Sequence, residues 1–381
     1  MDKVRKYLIS AVERHVFPGC ALGWAVNGET SVITVGKHTY DIDSPEVTEA
    51  SLFDCASVTK SIPVSTLALW MIDRGKLSID NKLVDFVPEY RGSFRNDITI
   101  KHLLTHTLDF DFRLSEFKGL PPEELLAAIL NVKMKSPPGE KFCYANATSI
   151  LLGMVLESIG AKSLHLLAKD TFFDPLGMAD TTFFPGENVI NRCVPTEDDP
   201  WRGRVVQGEV HDESAWALRG IMTAGSAGMF STVGDLLKFV RMLVDGDSGR
   251  PRAVATTRPD GVRQDAAPAM STQQNIGGLA SSSFFKPETV KAMYTNQIPH
   301  INGQCAGLGW ELNQEYMGTK RTASTIGKTG FTGATVIMDI PKKSGLVLLS
   351  NYTWPTRKPT RDLINEVRAG VADLVLFATH T

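Results

Sequence analysis

Segments with strand character stand at both ends of this chain, and helical segments fill its middle. Near the N-terminus, Cys20 to Asn27 is a mostly apolar run and Thr30 to Gly36 alternates, with Asn27-Gly28 between them. Two residues that tolerate positive φ, set between two strand-like runs, predict a hairpin with a type I′ turn. From Gly307 the pattern returns to strands, at 309–312, 324–328, 334–340 and 346–350. Helices are expected at 2–16, after Ser57 to Gly75, around 98–106, at 123–131, 147–159, 233–244, from Pro287, and over 359–378. This layout predicts an α/β (α+β) chain. One sheet is built from both termini, with a helical lobe inserted between them. The expected division is 1–56 with 285–381 as the sheet domain, and 57–284 as the helical domain. Residues 245–283 are polar and rich in Gly, Pro, Ala, Ser and Arg, and read as a surface insertion.

Bulk properties narrow the function classes. With 381 residues and 43% hydrophobic residues, the chain can bury a large core. A formal charge of -2 gives no electrostatic case for nucleic acid or a membrane surface. No stretch reaches the ~20 uninterrupted apolar residues of a spanning helix. The start, Met1 to Tyr7, is a charged amphipathic helix without the apolar run of a secretory signal. A cytoplasmic protein is therefore expected if Met1 is the natural start. Five scattered cysteines without a Cys-x-x-Cys pair predict free thiols, as in a reducing compartment.

Three short motifs carry chemistry. Ser57 precedes Lys60 by three residues, about one helical turn, so hydroxyl and amine share a face. A lysine near a helix N-terminus and partly buried is pushed toward its neutral form, and can then take or relay a serine proton. The Ser57 amide, unpaired at a helix start, can donate to an oxyanion. Alone, the tetrapeptide is a weak signal that recurs by chance in chains of this length, and an N-cap serine with a solvated lysine is the better reading of it. Tyr144-Ala145-Asn146 falls on a loop just before a helix, where side chains can face a cleft, or where Asn146 can serve as an N-cap. Lys328-Thr329-Gly330-Phe331 ends a predicted strand. A lysine and a threonine there can bind a carboxylate, and the following amides can supply a second oxyanion donor.

Other signals point elsewhere. His102 and His106 lie four apart on a helical face, but no glutamate follows His102 and no third ligand is evident, so structural histidines are expected and no metal site. The glycines of 224–228 lack the Lys-Ser/Thr of a phosphate loop. His211-Asp212 reads as a turn rather than an acid/base pair.

Taken in order, Ser57-x-x-Lys60, Tyr144-x-Asn146 and Lys328-Thr329-Gly330 resemble the serine penicillin-recognising hydrolases. The branch they resemble holds the class C β-lactamases, the related DD-peptidases and the family VIII esterases. Segments 98–107, 210–232, 327–334 and 351–357 also look like that family, so the resemblance spans nearly the whole chain. It implies an antiparallel sheet flanked by helices, an inserted all-helical lobe, and a site between them. It further implies Ser57 as the acylated nucleophile, with Lys60 and Tyr144 sharing the proton transfers. Asn146 would orient substrate and lysine, and Lys328 and Thr329 would bind a substrate carboxylate or polarise Tyr144. The amides of Ser57 and Phe331 would form the oxyanion hole. No cofactor and no metal are implied.

The expected function is therefore a serine hydrolase acting on a small amide, β-lactam or ester, with a carboxylate favoured by Lys328-Thr329-Gly330. An acyltransferase or short-chain carboxylesterase would use the same acyl-serine. A ligand-binding module on this fold is the non-enzymatic alternative, and an intact Ser57, Lys60 and Tyr144 set argues against it. The expected partner is a small-molecule substrate, and assembly into a homo-oligomer is compatible with the sequence.

Overall fold

A computed structural model describes residues 1–111, 114, 119–246 and 284–377. The helices are α1 (Asp2–Glu13), α2 (Thr66–Asp73), α3 (Ile100–Leu104), α4 (Pro122–Asn131), α5 (Asn146–Gly160), α6 (Leu164–Ala168), α7 (Glu213–Leu218), α8 (Val233–Val244), α9 (Pro287–Met293) and α10 (Asp362–Val375). The strands are β1 (Gly19–Val26), β2 (Glu29–Gly36), β3 (Phe53–Asp54), β4 (Glu197–Asp199), β5 (Arg204–Val206), β6 (Phe230–Ser231), β7 (Glu311–Leu312), β8 (Thr325–Thr329), β9 (Thr335–Asp339) and β10 (Ser344–Ser350).

Strands from the two chain ends form one six-stranded sheet in the order β2-β1-β10-β9-β8-β7, and every neighbouring pair is antiparallel. This is the α/β arrangement with an antiparallel sheet expected from the sequence. The β1–β2 hairpin closes with Val26 opposite Glu29. Asn27 and Gly28 both take positive φ, 52° and 86°, as a type I′ turn requires. Along β10 every residue is buried, because helices cover both faces of the sheet. Successive side chains point to opposite faces, so Val347 and Leu349 join one core while Leu346 and Leu348 join the other. The second core is closed by α1 through Val4 and Leu8 and by α10 through Ile364, Val367 and Val371. The first is closed by α8, whose Val233 and Leu237 press against Gly23 of β1; a Cβ there would come within 2.5 Å of Leu237. Burying each such leucine or valine stabilises the fold by about 2 kcal/mol.

The helical middle packs around α5, which buries Ala147 through Leu156 almost without a break. Its end differs from expectation: Gly160 stays helical and Ala161 takes the left-handed position, φ 49°. Residues 57–75 also differ from the single helix expected. A 3₁₀ turn over Ala56–Lys60 and a π turn over Ser61–Ser65 precede α2. Pro63 is the reason. Its ring disfavours helical backbone at the preceding residue, and Ile62 is extended at φ -113°, ψ 110°. The last helix is shorter than expected, ending at Val375. The polar stretch 245–283 lies outside the described residues beyond Gly246.

Candidate active site

Ser57 is placed by a strained turn. Ala56, just before it, has φ 43°, a left-handed value costly for a residue with a Cβ. Asp54 pins that turn: its Oδ1 accepts from the Ala56 amide at 2.7 Å, and its Oδ2 from the His211 amide at 2.7 Å. The Thr59 hydroxyl donates to the Ala56 carbonyl at 2.7 Å. Ser57 thus sits in the first turn of a helical segment, where no intrahelical carbonyl is available to its amide.

Lys60 follows on the same face. Its Nζ donates to Ser57 Oγ at 2.9 Å and to the Ser226 carbonyl at 2.7 Å. The side chain is buried, at 1% exposure, and no ion pair joins it to a carboxylate among the described residues. Burial pushes its ammonium below the usual lysine range and Lys328 pushes the same way, while Tyr144 opposes both. Lys60 therefore gives up its proton more readily than a free lysine does.

Tyr144 stands between two cations. Lys60 Nζ is 5.1 Å and Lys328 Nζ 4.6 Å from the centre of its ring. Burial raises the phenol pKa, but Lys328, Lys60 and the Ser57 hydroxyl outweigh it and hold the phenol below its usual value. Tyr144 still presents 42% of its surface to open space. Its other neighbour is His106, whose ring lies 5.1 Å away. Burial, helped by Lys328 and Lys60, pushes His106 down to about 3, so this histidine is neutral at ordinary pH. His102 does something different: its Nδ1 accepts from the Thr99 amide at 3.1 Å, at the start of α3. The two histidines do not act as a pair.

Lys328 comes from β8. It forms an ion pair with Glu311 of β7, whose other oxygen accepts from the Tyr316 hydroxyl at 2.7 Å. Burial lowers the lysine pKa, but Glu311 and Tyr144 overcome it and hold Lys328 above the usual range. Lys328 is therefore the permanent cation of the site and Lys60 the adjustable one.

These groups meet in a cavity of about 370 Å³. Ser57, Lys60, Tyr144, Lys328, Thr329 and Phe331 line it, as do His106, Trp310, Glu311 and Arg361. Asn146 and Gly330, expected to touch substrate, are not among the residues that line it. The Asn146 amide donates to Asp212 Oδ2 at 2.9 Å and to Ser214 Oγ at 3.4 Å. Asp212 is thereby used up: it also caps α7 through the Ala215 amide at 2.9 Å. Gly330 contributes through its lack of a side chain. A Cβ there would come within 2.5 Å of the Cys55 carbonyl, so only glycine lets β8 approach the Ser57 turn this closely. Where a turn was expected, His211 lies in a bend and Asp212 is the extended N-cap residue of α7. The His211 ring stacks on Phe331 at 5.6 Å and its Nε2 bonds Glu197 at 2.7 Å.

Sequence reading missed Glu311, Arg361 and Arg368 as neighbours of the site. Glu311 meets the Lys328 strand only because β7 pairs with β8, Glu311 opposite Gly327. That register is not written in either segment. The one available signal was a lone carboxylate in a predicted strand near the end of the chain.

Comparisons with known proteins bear on the family and the fold. A family profile described as Beta-lactamase matches residues 4–369. A protein of Escherichia coli (strain K12), provisionally named a D-alanyl-D-alanine carboxypeptidase, is 25% identical over 342 residues, covering 80% of this chain and 70% of its own. Among solved structures, a beta-lactamase/D-alanine carboxypeptidase from Pseudomonas syringae superposes with a TM-score of 0.71 at 17% identity, covering 99% of this chain and 98% of its own. EstCE1, described as a hydrolase with promiscuous acyltransferase activity, superposes with a TM-score of 0.69 at 18% identity, covering 96% of this chain and 97% of its own.

Proposed function

The chain belongs to the beta-lactamase family, and from that premise we propose that this serine hydrolase forms an acyl-enzyme on Ser57. The observation that carries the reading is the bond of 2.9 Å between Lys60 Nζ and Ser57 Oγ, beside Tyr144, on the wall of one cavity. In the acylation step, neutral Lys60 or the Tyr144 phenolate takes the Ser57 proton. Oγ forms a bond to the substrate carbonyl carbon, and its oxygen becomes an oxyanion facing the amides of Ser57 and Phe331. The bond to the leaving nitrogen or oxygen breaks as that proton is delivered to it, from Tyr144 directly or from Lys60 through the Tyr144 hydroxyl. Water then repeats the sequence, releasing the acid and restoring Ser57.

The proposed substrate is a small amide, β-lactam or ester bearing a carboxylate. Support comes from Lys328, Thr329 and Arg361 on one side of the cavity. Lys328 is shared with Glu311, so it does not meet a carboxylate alone; Arg361 adds a second cation there. A second reading, acyl transfer to an alcohol or amine in place of water, is favoured by the described activity of EstCE1.

Intact-protein mass after mixing with a penicillin, with ring opening followed in parallel, tests the proposal. Either a lasting adduct or ring opening is expected for the wild type, and neither for Ser57→Ala. An equal response from both proteins would sink the assignment of Ser57. Neither signal from the wild type would remove β-lactams from the substrate class. Short-chain esters offered with alternative alcohol acceptors would then decide between hydrolysis and transfer.

A further inference from the structure

The residue that closes the cavity wall behind Phe331 is a buried arginine. Arg368 lies on α10, 1% exposed, among apolar residues. No carboxylate among the described residues pairs with it. Its Nε donates to Thr335 Oγ1 at 2.7 Å and its Nη1 to Asn365 Oδ1 at 2.9 Å. Its Nη2 donates to the Gly330 carbonyl at 2.9 Å and to the Ala334 carbonyl at 3.3 Å. A guanidinium buried without a counter-ion costs several kcal/mol unless its donors are all used. The fold accepts that cost next to its substrate cavity, which Arg368 also lines.

The partner that matters is the Gly330 carbonyl, because it shares a peptide unit with the Phe331 amide. A cation bound at the oxygen of a peptide draws electron density from its nitrogen, and the N–H becomes a stronger donor. The preceding peptide and the Gly330 carbonyl itself are held by further backbone bonds. The Gly330 amide donates to the Ala334 carbonyl at 2.7 Å, and the Gly333 amide donates back to the Gly330 carbonyl at 3.2 Å. Gly330 also packs on Cys55 and Ala56, directly before Ser57. The two amides assigned to the oxyanion hole thus sit on backbone segments in van der Waals contact.

We infer that Arg368 is a positioning residue for the oxyanion hole: by binding the Gly330 carbonyl it orients and polarises the Gly330–Phe331 peptide, whose N–H receives the oxyanion. The inference rests on the acyl-enzyme reading above. It separates Arg368 from a residue that merely ties α10 to the sheet, because polarisation strengthens binding to a developing negative oxygen more than to any ground state.

The test compares p-nitrophenyl acetate with its thiono analogue, in which sulfur replaces the carbonyl oxygen. Sulfur is a poor hydrogen-bond acceptor, so the ratio of the two kcat/KM values reads the strength of the oxyanion donors. For Arg368→Met, kcat/KM on the oxygen ester is expected to fall by about tenfold through kcat, less than the loss of a whole oxyanion donor. The thionoester is expected to change little, so the oxygen-to-sulfur ratio drops by nearly the same factor. Arg368→Lys, which keeps a cation, is expected to give an intermediate ratio, and it carries the test alone if the methionine variant does not fold. An equal fall on both esters in either variant, or an unchanged ratio in the methionine variant, overturns the inference while leaving the hydrolase reading standing. A wild type that turns over neither ester and takes no acyl mass on Ser57 overturns the acyl-enzyme reading itself, and the inference with it.

Discussion

Replacing Lys328 by Met together with Glu311 by Gln is expected to shift the acidic limb of kcat/KM upward in pH. Lys328 Nζ lies 4.6 Å from the Tyr144 ring centre. Unit charges at that separation interact by about 3.6 kcal/mol at an effective dielectric of ~20. Tyr144 is 42% exposed, so solvent screening reduces this to roughly half, about 1.8 kcal/mol. At about 1.36 kcal/mol per pH unit, removing the cation raises the phenol pKa by about 1.3 units. The sign follows from the role. In the proposed mechanism with phenolate as the base, the rate below its pKa falls about tenfold per unit. The variant is therefore about 20-fold slower at pH values below the limb and recovers toward the wild-type plateau above it. Glu311 is changed as well so that no unpaired carboxylate is left; it already raises the phenol pKa in the wild type, so its loss takes back part of the shift and makes about 1.3 units and about 20-fold upper limits. Lys60 moves in the same direction, since Lys328 also presses its ammonium toward the neutral form. Repeating the profile in a Tyr144→Phe background separates the two bases. The assay is the pH dependence of kcat/KM on a chromogenic ester or β-lactam. A uniform fall at every pH with the limb unmoved would refute the electrostatic role and leave Lys328 as a substrate contact only.

Other perturbations have sharper outcomes. Ser57→Ala should abolish both turnover and covalent mass gain while the melting temperature stays close to wild type. Tyr144→Phe should cost several orders of magnitude in kcat, because the leaving group loses its proton donor; wild-type kcat would reject that assignment. Gly330→Ala puts a methyl within 2.5 Å of the Cys55 carbonyl. It should displace the Ser57 turn and lower kcat/KM by more than about 100-fold, as expected when an oxyanion donor is moved out of place; full activity would mean the turn yields without consequence. Asp212→Ala removes the α7 cap and the acceptor of Asn146. It should lower stability by about 1–2 kcal/mol in urea unfolding, and a change well under half of that would show the cap to be idle.

Hydrophobic periodicity made much of the fold legible. The β1–β2 hairpin with its Asn27-Gly28 turn, helix α8 at 233–244, and the return to strands after residue 307 all follow from patterns local to the chain. Local signals failed where two segments compete. Pro63 broke the helix that the apolar spacing of 62–71 predicted, because a ring constraint at one residue outweighs the preference of its neighbours. Strands β4 and β5 went unread because three-residue strands carry too little pattern.

For the site, the order of Ser57-Lys60, Tyr144-Asn146 and Lys328-Thr329-Gly330-Phe331 was enough to single out three segments that the fold brings to one cavity, because a family resemblance reads motifs in order along the chain. Tertiary structure alone decided which of them reach the cavity. It turned Asn146 away toward Asp212 and made Gly330 a spacer. It also divided the two lysines into an adjustable one and a permanent one. That division depends on Glu311 lying beside Lys328 and not beside Lys60. Strand register and helix packing set such neighbours across hundreds of residues, and electrostatic energy depends on distance in space rather than along the chain. Arg368 is the extreme case: a charged residue in an amphipathic helix reads as solvated, and only the packed sheet shows it buried against the Gly330 carbonyl.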